Sequence, residues 1–285
     1  MKLRLLFLLL TVSLSVRLFG DRVDDAVTQL SSGESSAIHA ALVELRDSRD
    51  ARLIEPLWSI LLGQDIAVRI RDMTVAQSHK VPLKPLARNL LANCQGDVKS
   101  VALKNLTSTN SVARREAAEL LSRFSQPVPE ALALLKASLR DNDPHVRLAA
   151  IRGLGNQGPP AIQSLLAHLK RVAKEPDLDE VSAVSDMLGR FPQDARTILP
   201  ELSSYLDASK YREIVIWHVL RAVEPLGYAR DTPEENWDLV LPALARLKRQ
   251  AKEGNKQVPS LGRSLAIEIP ERIEFRKKVT KRLPK

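Results

Sequence analysis

Cysteine is nearly missing from this 285-residue chain, which contains only Cys94. An intramolecular disulfide is therefore excluded, and any exported form must be held by packing alone. No cysteine closely follows the apolar N-terminal run, so lipoprotein-type acylation is not expected. Aromatic residues make up 4% of the chain, too few for a sandwich-type β core or for a groove that stacks single-stranded bases. Glycines number 11, and no glycine-rich phosphate loop follows a strand. A G-x-S-x-G elbow is also lacking, so neither nucleotide binding nor serine hydrolysis has a motif to carry it. The five histidines, His39, His79, His145, His168 and His218, have no His, Cys or acid at a metal-ligand spacing such as i, i+4 on one helix. No catalytic residue, metal or cofactor is expected. Cys94, at the end of "LLANCQG", reads as an inert buried thiol rather than a nucleophile.

The long apolar run is confined to the start, "MKLRLLFLLLTVSLSVRLFGDRVDD". Lys2 and Arg4 precede an almost unbroken run from Leu5 to Val16, and Ser13 and Ser15 stand at signal-peptidase spacing. As a helix that run would rise roughly 18 Å, short of a hydrocarbon core of about 30 Å. Residues 1–20 are therefore expected to be a signal peptide cleaved near Ser15, with an uncleaved anchor as the alternative. Charge is equally localised. Residues 246–285 carry 13 Lys and Arg against 4 Asp and Glu, which leaves 30 of each sign in residues 1–245. The net charge of +9 thus belongs to the C-terminal segment rather than to a basic face on the body.

Between these ends the apolar residues recur at helical spacing. In "DNDPHVRLAAIRGLGNQGPPAIQSLLAHL", Asp143 is a natural N-cap and Pro144 fits the first helical position. Val146, Ala150 and Leu154 form one stripe. A Gly/Pro break follows, and then Ile162, Leu165, Leu166 and Leu169 form another. The plan repeats: Asn110 with Ala113, Ala117 and Leu121, then Leu132 and Leu135; Val181, Val184 and Leu188, then Ile198 and Leu202; Val215, His218 and Ala222, then Leu244 and Leu247; Ile38 and Leu42, then Leu57 and Leu61. The segments "IEPLW", "ILPEL" and "VLPAL" all place a proline between aliphatics early in a second helix. Such helices are too short to stand alone and must bury their stripes on neighbours.

This pattern of acidic turn, "VR", small-residue helix, "LG" and aliphatic-Pro-x-Leu helix resembles HEAT repeats of the short type also found in phycobilin lyases. Asp143, Val146, Arg147, Ala149, Ala150, Leu154, Gly155, Ile162 and Leu166 carry it best. The resemblance covers roughly residues 35 to 250, while residues 65–106 are helical but out of register. It implies an all-α fold, an α-solenoid of about five or six HEAT-like helical hairpins over residues 21–250, with Val23, Val27 and Leu30 capping the N-terminal end.

Residues 251–285 read as a basic tail. The stretch up to Ser264 is linker-like. Ile267, Ile269, Ile273 and Phe275 then alternate, either as an extended docking segment or as a mobile solvated one, so that deleting the tail should leave the solenoid folded. Acidic pairs in "VDD", "DLDE" and "PEEN" are expected to serve helix starts rather than acid/base chemistry. Asp143 and Arg147 are expected to form a surface ion pair and turn lock. His218 and the tryptophans Trp58, Trp217 and Trp237 read as packing, and His145 as solvated.

The preferred functional expectation is an exported, periplasmic or extracytoplasmic scaffold. It would not be an enzyme, and it would bind a protein partner on the lateral face of its solenoid. Arg276, Lys277, Lys278, Lys281 and Arg282 would hold an anionic surface such as lipid or wall polymer. A nucleic-acid-binding HEAT-repeat protein or a HEAT-type lyase are the alternatives, each lacking a motif of its own.

Overall fold

The hairpin signals in the sequence have direct counterparts in a computed structural model, which describes residues 22–71, 78–174, 177–228 and 233–280. The chain divides between Ser125 and Gln126 into two units. In the first, α1 (22–30) is followed by α2 (Ser35–Glu44), α3 (Ile54–Leu62), the strands β1 (Ala67–Arg71) and β2 (Ser78–Pro82), α4 (Leu83–Asn93), α5 (Val98–Leu106) and α6 (Ser111–Leu121). The second contains α7 (Ala131–Ser138), α8 (Pro144–Gly155), α9 (Ile162–Val172), α10 (Leu178–Leu188), α11 (Ala195–Ser203), α12 (Glu213–Gly227), α13 (Pro233–Asp238), α14 (Leu241–Lys252) and α15 (Ser260–Thr280). Helix dominates, as expected.

Local chemistry explains where the helices start. Asp143 accepts the His145 N–H at 2.9 Å, Asn110 the Val112 N–H at 2.9 Å, and Asp177 the Glu180 N–H at 3.2 Å, which satisfies donors that the first turn cannot pair. Short 3-10 turns at Ala51–Leu53, Pro159–Ala161 and Pro192–Asp194 lead into α3, α9 and α11. Gly158, at φ +76°, supplies the left-handed residue ahead of the second of these turns. Pro56 and Pro242 lie in first turns, as expected. Pro200 does not: α11 begins earlier, at Ala195, so this proline lies inside the helix and deletes one of its hydrogen bonds.

In the second unit, first helices pack on first helices, α8 on α10 and α10 on α12, while α9 packs on α11. Val146, Ala150, Leu154, Leu165, Leu169, Val181, Val184, Leu188, Ile198 and Leu202 are all buried. Each such leucine contributes about 2 kcal/mol of hydrophobic stabilisation. Hairpins contacting their sequence neighbours through a continuous apolar core are the construction of an α-solenoid.

Three regions depart from expectation. Within residues 65–106, an antiparallel hairpin β1–β2 precedes α4, with Arg69 opposite Lys80. Helix α4 then buries two cations, Lys84 and Arg88, on its inner side. On α1 the residue buried between Val23 and Leu30 is Ala26 rather than Val27. The largest change is at the C-terminus, where residues 260–280 form helix α15 instead of a linker followed by an extended or mobile segment. Val258, Leu265, Ala266 and Ile269 are buried at helical spacing, whereas Ile267 is 48% exposed. A Cβ on Gly262 would come within 3.1 Å of Leu220 and 3.5 Å of Leu247, so α15 packs closely over α12 and α14. Deleting residues 251–285 would therefore uncover core, contrary to the expectation that the tail is dispensable for folding.

Candidate binding groove and its buried ion network

The arginine of the "VR" motif begins the site. Arg147 Nη1 donates to the backbone carbonyls of Asp141 at 2.9 Å and Asn142 at 3.3 Å. Thirty-three residues earlier, at the same place in its own hairpin, Arg114 does the same to Ser108 and Thr109 at 2.9 and 3.0 Å. The turn lock is thus made to carbonyl oxygens. The other end of the Arg147 guanidinium reaches the next hairpin, where Nε donates to Glu180 Oε1 at 2.6 Å.

Glu180 is 1% exposed and stands at the centre of a charge network. Its Oε2 accepts from His168 Nε2 at 2.6 Å and from Arg171 Nη2 at 3.2 Å. An ionised carboxylate can only accept, so the proton on this pair resides on His168 Nε2. Burial alone pushes the Glu180 carboxyl up. The hydrogen bonds from His168 and Arg147 and their nearby charge outweigh that effect and hold it down at about 2. The "DLDE" acids serve a helix start as expected, with Asp177 as the N-cap of α10 and Asp179 and Glu180 in its first turn; what the sequence did not indicate is that Glu180 also takes partners from the two preceding helices.

On its open side the network borders a groove of about 370 Å³ between α7 and α9, lined by Lys136, Ala137, Arg140, Ser164, Ala167 and Arg171. Lys136, Arg140 and Arg171 are exposed. Arg171 Nη2 also donates to the Leu139 carbonyl at 3.5 Å, tying α9 to the end of α7. The same device recurs further along, where Arg246 donates to the carbonyls of Leu206 at 3.3 Å and Ser203 at 3.4 Å. Beside it, burial raises the Asp207 carboxyl, but hydrogen bonds from Ser209 and Gln250 and the charge of Arg246 lower it well below the usual range.

The first unit has its own buried acid. Glu116, 1% exposed, takes Arg88 on Oε2 at 2.6 Å and Arg115 on Oε1 at 3.0 Å. A second cavity of about 500 Å³ lies beside the N-terminal turn of α12, lined by Arg212, Ile214, Trp217, Gln257 and Ser260. Arg221 sits 5.0 Å over the Trp217 ring. Trp58 and Trp237 are buried, as expected. His218 is a core residue, but its Nδ1 has no hydrogen-bond partner among the described residues, and burial lowers its pKa. His145 is exposed. Of the tail residues singled out in the sequence, Arg276, Lys277 and Lys278 fall in the last turns of α15; Lys281 and Arg282 lie outside the described residues.

Cys94 follows α4 and donates weakly from Sγ to the Leu90 carbonyl at 3.4 Å. Burial, assisted by the Asp50 charge, pushes its thiol up to about 11 from an ordinary 9.0. Alkylation of the folded protein near neutral pH is expected to run about a hundredfold slower than that of a free cysteine, in proportion to the thiolate fraction, and to recover in denaturant. Labelling of the folded chain at the free-thiol rate would contradict the burial described for this residue.

Comparison with known proteins bears on the architecture. Residues 100–185 match the family model for HEAT repeats. The search of curated proteins returned no match. Among solved structures the chain is similar to an engineered protein determined as a structural-genomics target, at 19% identity over 89% of this chain and 96% of that one, with a TM-score of 0.44. It is also similar to a designed armadillo repeat protein, at 15% identity over 85% of this chain and 95% of that one, with a TM-score of 0.41. The hairpin packing and the HEAT match together establish an all-α, HEAT-like fold of the α-solenoid type.

Proposed function

We propose that this chain is an exported, non-catalytic scaffold that binds a protein partner on the lateral face of its helical hairpins. Its basic C-terminal residues Arg276, Lys277, Lys278, Lys281 and Arg282 would hold it near an anionic surface such as lipid or wall polymer. The groove between α7 and α9 carries the reading. It is concave, lined by charged and small side chains, and built on helices whose register is fixed from beneath by a buried ion network. HEAT-type repeats commonly serve protein interaction through surfaces of this kind. Export is supported by the short apolar run behind Lys2 and Arg4, and surface attraction by the concentration of positive charge after residue 245.

The test is crosslinking in native cells with a C-terminally tagged chain, beside a variant in which the five basic residues are replaced by glutamine. Because α15 is part of the packed core, neutralisation is preferable to truncation. The expected result is a bait whose N-terminus begins after about residue 15, with one defined envelope protein captured by both forms. An unprocessed bait that brings down nucleic acid, or capture lost when the five charges are removed, would overturn this assignment of roles.

A further inference from the structure

The groove between α7 and α9 also indicates what kind of partner it fits. The side chains of Lys136 and Arg140 on the α7 side are exposed and make no ion pair or hydrogen bond among the described residues. Arg171, on the α9 side, uses only Nη2 for Glu180, His168 and Leu139, which leaves Nη1 and Nε directed to no described residue. Glu180 is shared by Arg147, His168 and Arg171, so the groove faces solvent with two unpaired cations, Lys136 and Arg140, beside an Arg171 that keeps part of its guanidinium free. Asp141, which follows Arg140 in the chain, accepts the Asp143 N–H at 2.9 Å. Ala137 and Ala167 leave the floor low, and about 370 Å³ is room for a few side chains rather than for a duplex.

We infer that this groove binds an acidic segment of a protein partner, whose carboxylates are taken by Lys136, Arg140 and Arg171. The inference rests on the scaffold reading above and specifies the partner's chemistry. Arginine forks suit carboxylates because two N–H donors can meet two oxygens. Nucleic acid fits less well: the ring in the groove lining, His168, is buried and held against Glu180, so a base cannot stack on it, and residues 1–245 carry no net positive charge to draw a phosphate backbone. A membrane is excluded by concavity, since a planar headgroup layer cannot enter the space between two helices.

The direct experiment measures fluorescence anisotropy of a labelled peptide of alternating glutamate and serine against the full chain. It is repeated with Lys136→Gln/Arg140→Gln and with a control, Lys99→Gln/Lys104→Gln, on the exposed side of α5. Circular dichroism confirms that all three are folded. The groove variant is expected to weaken binding about tenfold or more while the control changes little. Equal weakening by both variants, no peptide binding by the wild type, or tighter binding of a single-stranded oligonucleotide through the same two residues would overturn the inference. Crosslinking in cells separates this inference from the scaffold reading. A partner still captured by the groove variant refutes the groove and leaves the scaffold standing; no partner captured by the wild type refutes the scaffold, whatever the peptide does.

Discussion

Replacing Glu180 with alanine is expected to lower the unfolding free energy of the protein by about 3 to 5 kcal/mol, because it strands Arg147 without its counter-charge and the buried His168 Nε2 without its hydrogen-bond partner. The carboxylate takes hydrogen bonds from three side chains at 2.6, 2.6 and 3.2 Å while itself almost wholly buried. Glu180→Gln keeps the shape and loses the charge, so its cost should be intermediate. Acid supplies an independent readout. The carboxyl titrates at about 2 when folded and near 4.5 when free, so its contribution is fully present above about 4.5 and disappears as pH falls toward 2. The shift corresponds to about 3 kcal/mol. Wild-type stability should therefore fall over that interval by up to that amount more than the stability of Glu180→Gln. Parallel acid profiles for the two proteins, measured by denaturant unfolding, would show that Glu180 is not held ionised by its neighbours.

Gly227→Ala is expected to destabilise, although glycine to alanine in a helix ordinarily stabilises by about 0.5 to 1 kcal/mol. A Cβ at Gly227, the last residue of α12, would lie inside contact distance of Cζ2 and Cε2 of Trp237. That ring is buried and packs edge-on to Tyr228, with ring centroids 5.2 Å apart. An indole cannot bend away as a flexible chain could, so the added methyl should cost about 1 to 3 kcal/mol through displacement of the ring. Gly155→Ala makes the comparison. There the obstructing group is the side chain of Met187, which has rotatable bonds to spend, and the penalty should be smaller. The pair is checked by thermal unfolding; a Gly227→Ala protein as stable as wild type would mean that Trp237 is not fixed where α12 ends.

The parts of this structure that were legible in the sequence are those encoded locally. Asp143, Pro144, Val146 and Leu154 announce α8 through spacings of a few residues, and each plays its expected role. The groove was not legible, because its supports are contacts between hairpins. Arg147 meets Glu180 across 33 positions and Arg88 meets Glu116 across 28, and no i, i+4 pattern records such pairs. For the same reason α4 does not read in register: the apolar stripe is interrupted by Lys84 and Arg88, which face inward to acidic partners at Asp65 and Glu116. Helix α15 was obscured by Pro259 and by the alternation of Ile267 with Ile269. The helical spacing of Leu265 and Ile269 was the signal that could have revealed it.

The ribbon formed by β1 and β2 is the one sheet among the described residues, and each of its strands pairs with a neighbouring strand on one side only. Short ribbons of this kind invite a second copy to lie alongside and extend the sheet, a first step toward aggregation. Arg69 and Lys80 face each other directly across this ribbon, a like-charge pairing that weakens the hairpin itself by a few tenths of a kcal/mol. The same two cations would oppose their counterparts on any ribbon stacked against them. A small loss in local stability is thereby exchanged for protection against edge-to-edge assembly, a protection that the helical hairpins, with their backbone groups paired internally, do not require.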